Sequence, residues 1–434
     1  MDFTNIFVIL FTAGTVFDFV LNQFLEFTDY SSRKKNGTKV PAEIKGLIDE
    51  STLEKTCSYE NAKYFMWIPR AVLMLILDFV LVFCGFYVQL FNFFWSATNN
   101  IYLTAIAFVF LSSIPSDLLE LPFELADEFS IEKKFGFSNM SFKMWICDRI
   151  KSLAVNLIVS VPLLCAACAL LSHAGSWWWF LLGTIFVVLS LGMSFVYPVW
   201  IAPLFNKFTP LEDAELKQRI EKLFEQNGFR TSGVFIMDAS KRSRHSNAYF
   251  TGFGKTKRIV LYDTLVEQLT APQIEAVLAH ELGHYKHRHI IKRMCVSIPL
   301  VYAVLFAASI IVRKTCLYTG FGFEPATDSN GNVGSYIQIV GFFLLSLSLG
   351  GFSKLQSLVA NTFSRRDEFE ADAFSAKICH SGKPLAEALV KLNKENLTEL
   401  TPPRIYCMFN YSHPPLLERI RAVEAAEEKA ESKN

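Results

Sequence analysis

Seven apolar runs, each near the length of a membrane-spanning helix, leave this chain few ways to fold. They lie at about 3–27, 65–94, 101–124, 152–174, 176–205, 294–317 and 335–360. A helix crossing a bilayer needs roughly 20 predominantly apolar residues, because inside lipid the backbone must satisfy its own hydrogen bonds. The 434 residues are 51% hydrophobic and only 19% charged, against about 25% in a soluble domain. A mostly α, polytopic membrane protein with seven transmembrane helices is therefore expected. The first run is read as a span and not as a leader. Asp2 stands where a signal peptide is basic, and the apolar stretch is too long.

Loop charge sets the expected orientation. Loops 28–64 and 125–151 are rich in Lys and Arg, whereas 96–100 and 172–175 have none. The N-terminus should then be luminal, and residues 206–293 and 361–434 cytosolic. The expected divisions are 1–205 (spans one to five), 206–293 (a small α+β unit), 294–360 (two further spans) and 361–434 (a C-terminal segment). Asp18, Arg70, Asp78, Asp117 and Glu120 lie in the spans. Charge at membrane depth faces a bundle interior or a water-filled cavity, so the bundle is expected to enclose water; Arg70 and Glu120 also suit snorkelling near span ends. A net charge of +1 gives no field to recruit nucleic acid. Nine scattered cysteines form no disulfide framework, and Cys165 and Cys168 read as buried small residues. The loop 318–334 is expected to be flexible and the tail from Ala422 to fray. The four Asn-x-Ser/Thr sites fall on cytosolic segments and are expected to stay unmodified.

Within 206–293, Thr209 to Glu212 has the form of a capping box opening a helix that Asn227-Gly228 ends. Residues 233–238 and 258–263 are β-rich, with a hairpin between them turning at Gly252 and Gly254. A second capping box, Thr270 to Gln273, opens a helix through His280-Glu281-Leu282-Gly283-His284. Positions i and i+4 share one helix face, so both imidazoles can reach one Zn²⁺ at about 2.0–2.1 Å. Glu281, beside them, can take a proton from an activated water. His287 lies about 10 Å along the axis from His280 and cannot share that ion on a straight helix. A return of the chain needs a Gly turn, and YKHRH has no Gly. His287 and His289, with Lys286 and Arg288, read as a basic collar. A third ligand is sought in SRRDEFEADAF, 364–374, on a helix ending near Ser381-Gly382. Glu368 would complete a His₂Glu set with an open fourth position. Asp372, one turn on, could fix the tautomer of a ligand imidazole, while Glu370 points elsewhere. An ordinary charged helix is the other reading of that stretch.

These motifs, with SNAYFTGFGKTKRIVLYDTL before them and NYSHPPLLERI after, resemble the type I CAAX prenyl proteases, integral-membrane zinc metalloproteases. The resemblance covers nearly the whole chain. Only Asn410 before YSHPP and the collar depart from the family pattern. It implies helices forming a barrel around a water-filled chamber, with a cytosolic zinc-protease unit. It implies one Zn²⁺ per chain on His280, His284 and Glu368, with Glu281 as general base and Asp372 behind the ligands. His413 would help bind the substrate carbonyl or its oxyanion. Asn247, Ala248 and Tyr249 would lie on an edge strand that binds extended peptide. The implied reaction removes the last three residues of prenylated CAAX proteins, with a second upstream cut in some members. The implied setting is the endoplasmic reticulum membrane, with the inner nuclear membrane as a second location, and a monomer with no nucleic-acid partner. The rival readings are a membrane quality-control metalloprotease, a non-enzymatic zinc transporter or sensor, and an inactive scaffold. A closed structural zinc site would use four protein ligands and would not need Glu281.

Overall fold

Apolar length dictates the spans, and capping residues dictate where they begin. In the computed structural model, which describes residues 1–229, 232–251 and 258–431, six helical stretches are long and apolar enough to cross a bilayer. They are Ile6–Asn36, Glu50–Phe83, Ile101–Phe135, Phe142–His173, Gly175–Phe205 and His289–Ile311. A seventh crossing is a bent pair, Ser335–Gly350 and Ser353–Ile378, turning by 72°. The second span differs from its expected bounds. It starts in the polar loop, because the Asp49 carboxylate accepts from the Thr52 amide at 2.9 Å, and it breaks at Cys84 before a separate helix, Phe86–Thr98. The expected division at 360 falls inside the helix Ser353–Ile378.

One apolar cluster, including Phe11, Phe91, Phe108, Trp178, Tyr318 and Phe323, ties the spans together. Tyr318 and Phe323 come from the loop expected to be flexible. That loop is packed instead: Tyr318 is fully buried and its hydroxyl donates to the Val312 carbonyl at 2.7 Å. Asp328 holds its tip by accepting from the Asn330 and Asn332 amides at 2.8 Å each. The aromatic residues within the loop override its Gly- and Asn-rich composition. Arg70 and Glu120 pair with each other at 2.7 Å, and Asp18 and Asp78 are half-buried. A cavity of about 910 Å³ lies between the spans, walled by residues such as Leu164, Phe186, Val301 and Phe343 and edged by Ser160, Ser346 and Gln356. All nine cysteines are free, with Cys168 buried and Cys165 partly so.

Outside the spans, a four-stranded sheet has strands β1 (Phe208–Pro210), β2 (Val234–Met237), β3 (Ala248–Thr251) and β4 (Arg258–Tyr262), in the order β1-β2-β4-β3. β2 and β4 are parallel; both outer pairs are antiparallel. The hairpin bend, with Gly252 and Gly254, lies outside the described residues. The first capping box is not formed. Thr209 and Pro210 pair with Ile236 and Phe235 as an edge strand, where Pro costs no interior ladder bond. The helix begins at Ala214, capped by Asp213. Ile259 and Leu261 of β4 pack on Ile220 and Phe224 of that helix and on Ile274, Leu278 and Leu282. The C-terminal helix, Leu416–Glu431, does not fray where expected: Val423 is buried, and Glu427 accepts from the Ser381 hydroxyl at 3.1 Å and the Gly382 amide at 3.2 Å.

The bend in the seventh crossing depends on a backbone contact. A Cβ on Gly351 would sit 2.1 Å from the Gly14 carbonyl carbon, whereas one on Gly350 would meet nothing within 4 Å. Gly351→Ala should force the first span off the bend and lower the thermal midpoint of the detergent-solubilised protein by several degrees, about the effect of 1–3 kcal/mol of overpacking. Gly350→Ala should leave the midpoint in place. Equal melting curves for both would show that the crossing is loose.

Candidate metal centre

The motif helix, Ala271–Lys286, starts at a reciprocal capping box between Thr270 and Gln273, a device worth about 0.5–2 kcal/mol. Its apolar stripe of Ile274, Leu278 and Leu282 is taken by the sheet. That leaves His280, Glu281 and His284 to a different face. Gly283 lies where the carboxylate-bearing helix Ser353–Ile378 crosses: an added Cβ would stand 2.9 Å from Ala371 Cα. The backbones meet, and Glu368 comes opposite the two imidazoles.

His280 Nε2 and His284 Nε2 are 3.2 Å apart. Glu368 Oε2 is 3.4 Å from the first and Oε1 is 3.2 Å from the second. A tetrahedral ion with bonds of about 2.0–2.1 Å needs donors about 3.3–3.4 Å apart. Glu368 is buried, and its Oε2 has no hydrogen-bond partner. Buried polar atoms without partners are rare and call for a specific explanation. Three convergent donors and an orphaned carboxylate oxygen fit a divalent metal ion.

The surroundings hold each donor. Asp372 Oδ1 is 2.7 Å from His280 Nδ1, so the metal-facing nitrogen is Nε2. Burial lowers the His280 imidazole, but the carboxylates of Asp372 and Glu368 beside it outweigh that and push it up to about 9. Arg419 pairs with Asp372 at 2.6 Å and comes within 3.8 Å of Glu368. At Glu281 burial wins over His280 and His284, so its carboxyl is raised. His413 stands at the mouth, with its side chain 64% exposed and Nε2 3.5 Å from Glu368 Oε1.

Two residues escaped the sequence reading. Arg419 is buried and grips Asp372 through Nε at 2.8 Å and Nη2 at 2.6 Å; its only signal was its place in the run NYSHPPLLERI. Arg365, in the stretch whose other reading is an ordinary charged helix, donates to the carbonyls of Cys407 and Tyr411 at 2.9 and 2.8 Å, fastening the loop that carries His413. His289, read as part of a basic collar, is buried: it is 1% exposed, with Nδ1 2.9 Å from His284 Nδ1. On the edge strand β3, the Asn247 carbonyl accepts from the Tyr262 amide at 3.0 Å. Antiparallel alternation then turns the main chain of Tyr249 toward β4 and leaves Ala248 and Phe250 facing the free edge. Asn247 is exposed, and its Oδ1 accepts from the Ala248 amide at 2.8 Å.

Arg419→Ala should strand Asp372 as a buried unpaired charge, a loss of about 3–5 kcal/mol for such pairs. Arg419→Lys should not restore it, since one ammonium cannot make the two parallel bonds. Thermal unfolding and metal content after mild chelation would read both effects, and an unchanged melting curve for Arg419→Ala would refute this role.

Known proteins resemble this chain in sequence and fold. Residues 29–207 match the CAAX prenyl protease N-terminal domain of five membrane helices, and residues 210–427 match peptidase family M48. CAAX prenyl protease 1 of Saccharomyces cerevisiae is 33% identical over 99% of this chain and 98% of its own length. The CAAX prenyl protease 1 homolog of Arabidopsis thaliana is 33% identical over 96% and 98%, and that of Homo sapiens 29% over 96% and 95%. The crystal structure of S. mikatae Ste24p matches with a TM-score of 0.89 at 31% identity, covering 96% of this chain and 99% of that one. This chain is thus a polytopic membrane metalloprotease, and it belongs to peptidase family M48.

Proposed function

We propose that the protein removes the last three residues from prenylated proteins ending in CAAX, using zinc held by His280, His284 and Glu368. The observation that carries the reading is the convergence of those three donors beside Glu281. The matched proteins named CAAX prenyl protease 1 support the substrate class. A zinc ion on these ligands supplies a water of lowered pKa and a Lewis acid for the scissile carbonyl. Glu281 takes the water's proton and delivers it to the leaving amine. His413, exposed at the mouth, donates to the oxygen that becomes an oxyanion. Peptide lies extended along the free edge of β3, hydrogen-bonded to the Ala248 carbonyl and the Phe250 main chain, with Asn247 at the strand's start. Main-chain recognition of this kind asks little of the substrate's side chains. The lipid on the substrate is the reason for building this protease into a bilayer. The reading includes residence in the endoplasmic reticulum membrane as a monomer, with the N-terminus luminal and the C-terminus cytosolic. A second, upstream cut by the same site belongs to it as well.

Purified protein incubated with a farnesylated CAAX peptide should release the C-terminal tripeptide, lose that activity to a chelator and regain it with zinc. Glu281→Gln should cut the rate by about 10²–10⁴-fold, the usual worth of a positioned acid–base group, while keeping zinc bound. Equal cleavage of the peptide without its prenyl group would overturn the assigned substrate class.

A further inference from the structure

His284 presents Nε2 to the metal centre and turns Nδ1 away from it, toward His289. His289 sits immediately beyond the motif helix, and the chain reaches it without glycine. Arg288 takes the left-handed conformation, φ 57°, between the end of one helix and the start of the next. That single kink swings His289 back over His284. Its side chain is 2% exposed, its Nδ1 is 2.9 Å from His284 Nδ1, and its Nε2 is 3.2 Å from Glu370 Oε2.

Hydrogen-bond logic allows this chain one set of protons. Two Nδ1 atoms at that separation cannot both donate or both accept. A metal ligand bound through Nε2 keeps its proton on Nδ1. His284 is then the donor and His289 Nδ1 the acceptor. The His289 proton must lie on Nε2, where Glu370 accepts it. In the opposite sense, a bare His289 Nε2 would face a carboxylate oxygen.

Glu370 is itself pinned by Lys292 at 3.7 Å, Arg366 at 3.5 Å and His287 at 3.9 Å. The Lys292 and Arg366 cations argue against a second metal ion on His287, His289 and Glu370, although the three could reach one. They favour Glu370 as a fixed acceptor. We propose that His289, oriented by Glu370, is a positioning residue that selects the tautomer and ring angle of His284 for metal binding. This rests on the reading that His280, His284 and Glu368 hold a metal ion.

The test is zinc affinity of the full-length protein by chelator competition, with the absorption spectrum of the cobalt(II)-loaded protein as a second readout of ligand geometry. His289→Ala should weaken zinc by about 10–100-fold, the usual cost of losing such a partner, and shift the cobalt bands. His289→Asn, whose amide oxygen can stand near the lost Nδ1, should recover most of the affinity. Glu370→Gln should fall between them, and His287→Ala should match the parent protein. Zinc affinity and cobalt spectrum unchanged in His289→Ala would overturn the proposal, as would an equal loss in His287→Ala, which would mark mere packing. A His289→Ala protein that melts early is judged by the Asn and Gln variants, whose agreement with the parent protein in zinc affinity and cobalt spectrum is expected for Asn alone. If the parent protein takes up no zinc, the metal reading fails first and this inference with it.

Discussion

The active centre exists because two helix backbones touch. The motif helix and the carboxylate-bearing helix meet at Gly283 and Ala371, where there is no room for even a methyl group between them. A carboxylate side chain is short, and a donor set spaced by little more than 3 Å tolerates errors of only a few tenths of an ångström. The sheet supplies the counter-pressure. It takes the apolar stripe of the motif helix and leaves the polar face no alternative neighbour but Glu368. The Ser375 hydroxyl, one further turn along, donates to the Ala276 carbonyl at 2.7 Å and fixes the register of the two helices.

Charge balance explains why so many ionised groups can be buried together. Glu281, Glu368 and Asp372 crowd the site, and among the described residues Arg419 is the arginine paired with them. Buried carboxyls outnumber that guanidinium, an excess that a metal cation would offset. Bringing such charges out of water costs several kcal/mol each unless each finds a partner. The site is therefore better regarded as a network completed by its metal than as a rigid socket. His289 and Glu370 extend that network outward on the His284 side, as Asp372 and Arg419 do on the His280 side.

The soluble part must also be held in a fixed attitude to the bundle, or a substrate anchored in lipid would miss the metal. A buried ion pair, a partly buried one and a tyrosine–carboxylate hydrogen bond do this at three seams. Arg33 of the first span bonds Asp29 at 2.6 Å and reaches Glu399 in the C-terminal segment at 2.7 Å. Arg242, beside the sheet, takes Asp148 of the fourth span at 2.8 and 3.2 Å. Tyr406 donates to Glu26 at 3.1 Å. Pairs of this kind add little net stability, but breaking one is costly. They act as directional locks that apolar contacts, which tolerate sliding, cannot supply.

What the residues disclosed on their own follows the range of the interaction involved. The spans, the motif helix and the pairing of Glu368 with Asp372 depend on periodicity within one element, so the sequence displays them directly. The proposed third ligand lies two spans further along the chain, and there the residues alone left an ordinary charged helix as an equal reading. The 72° turn in the seventh crossing, the packed loop around Tyr318 and the edge strand at Thr209 depend on neighbours far along the chain, and local composition pointed the wrong way for each. His289 shows the limit most sharply. Helical spacing sets His287 apart from His280, and a chain without Gly is not expected to return. Arg288 makes the return anyway, in a conformation that costs an L-residue about 1–2 kcal/mol and is offset by burying His289 between His284 and Glu370. A backbone penalty paid by one residue for the contacts of the next is invisible to any pattern of residue types, and it is at such places that the geometry of a site is decided.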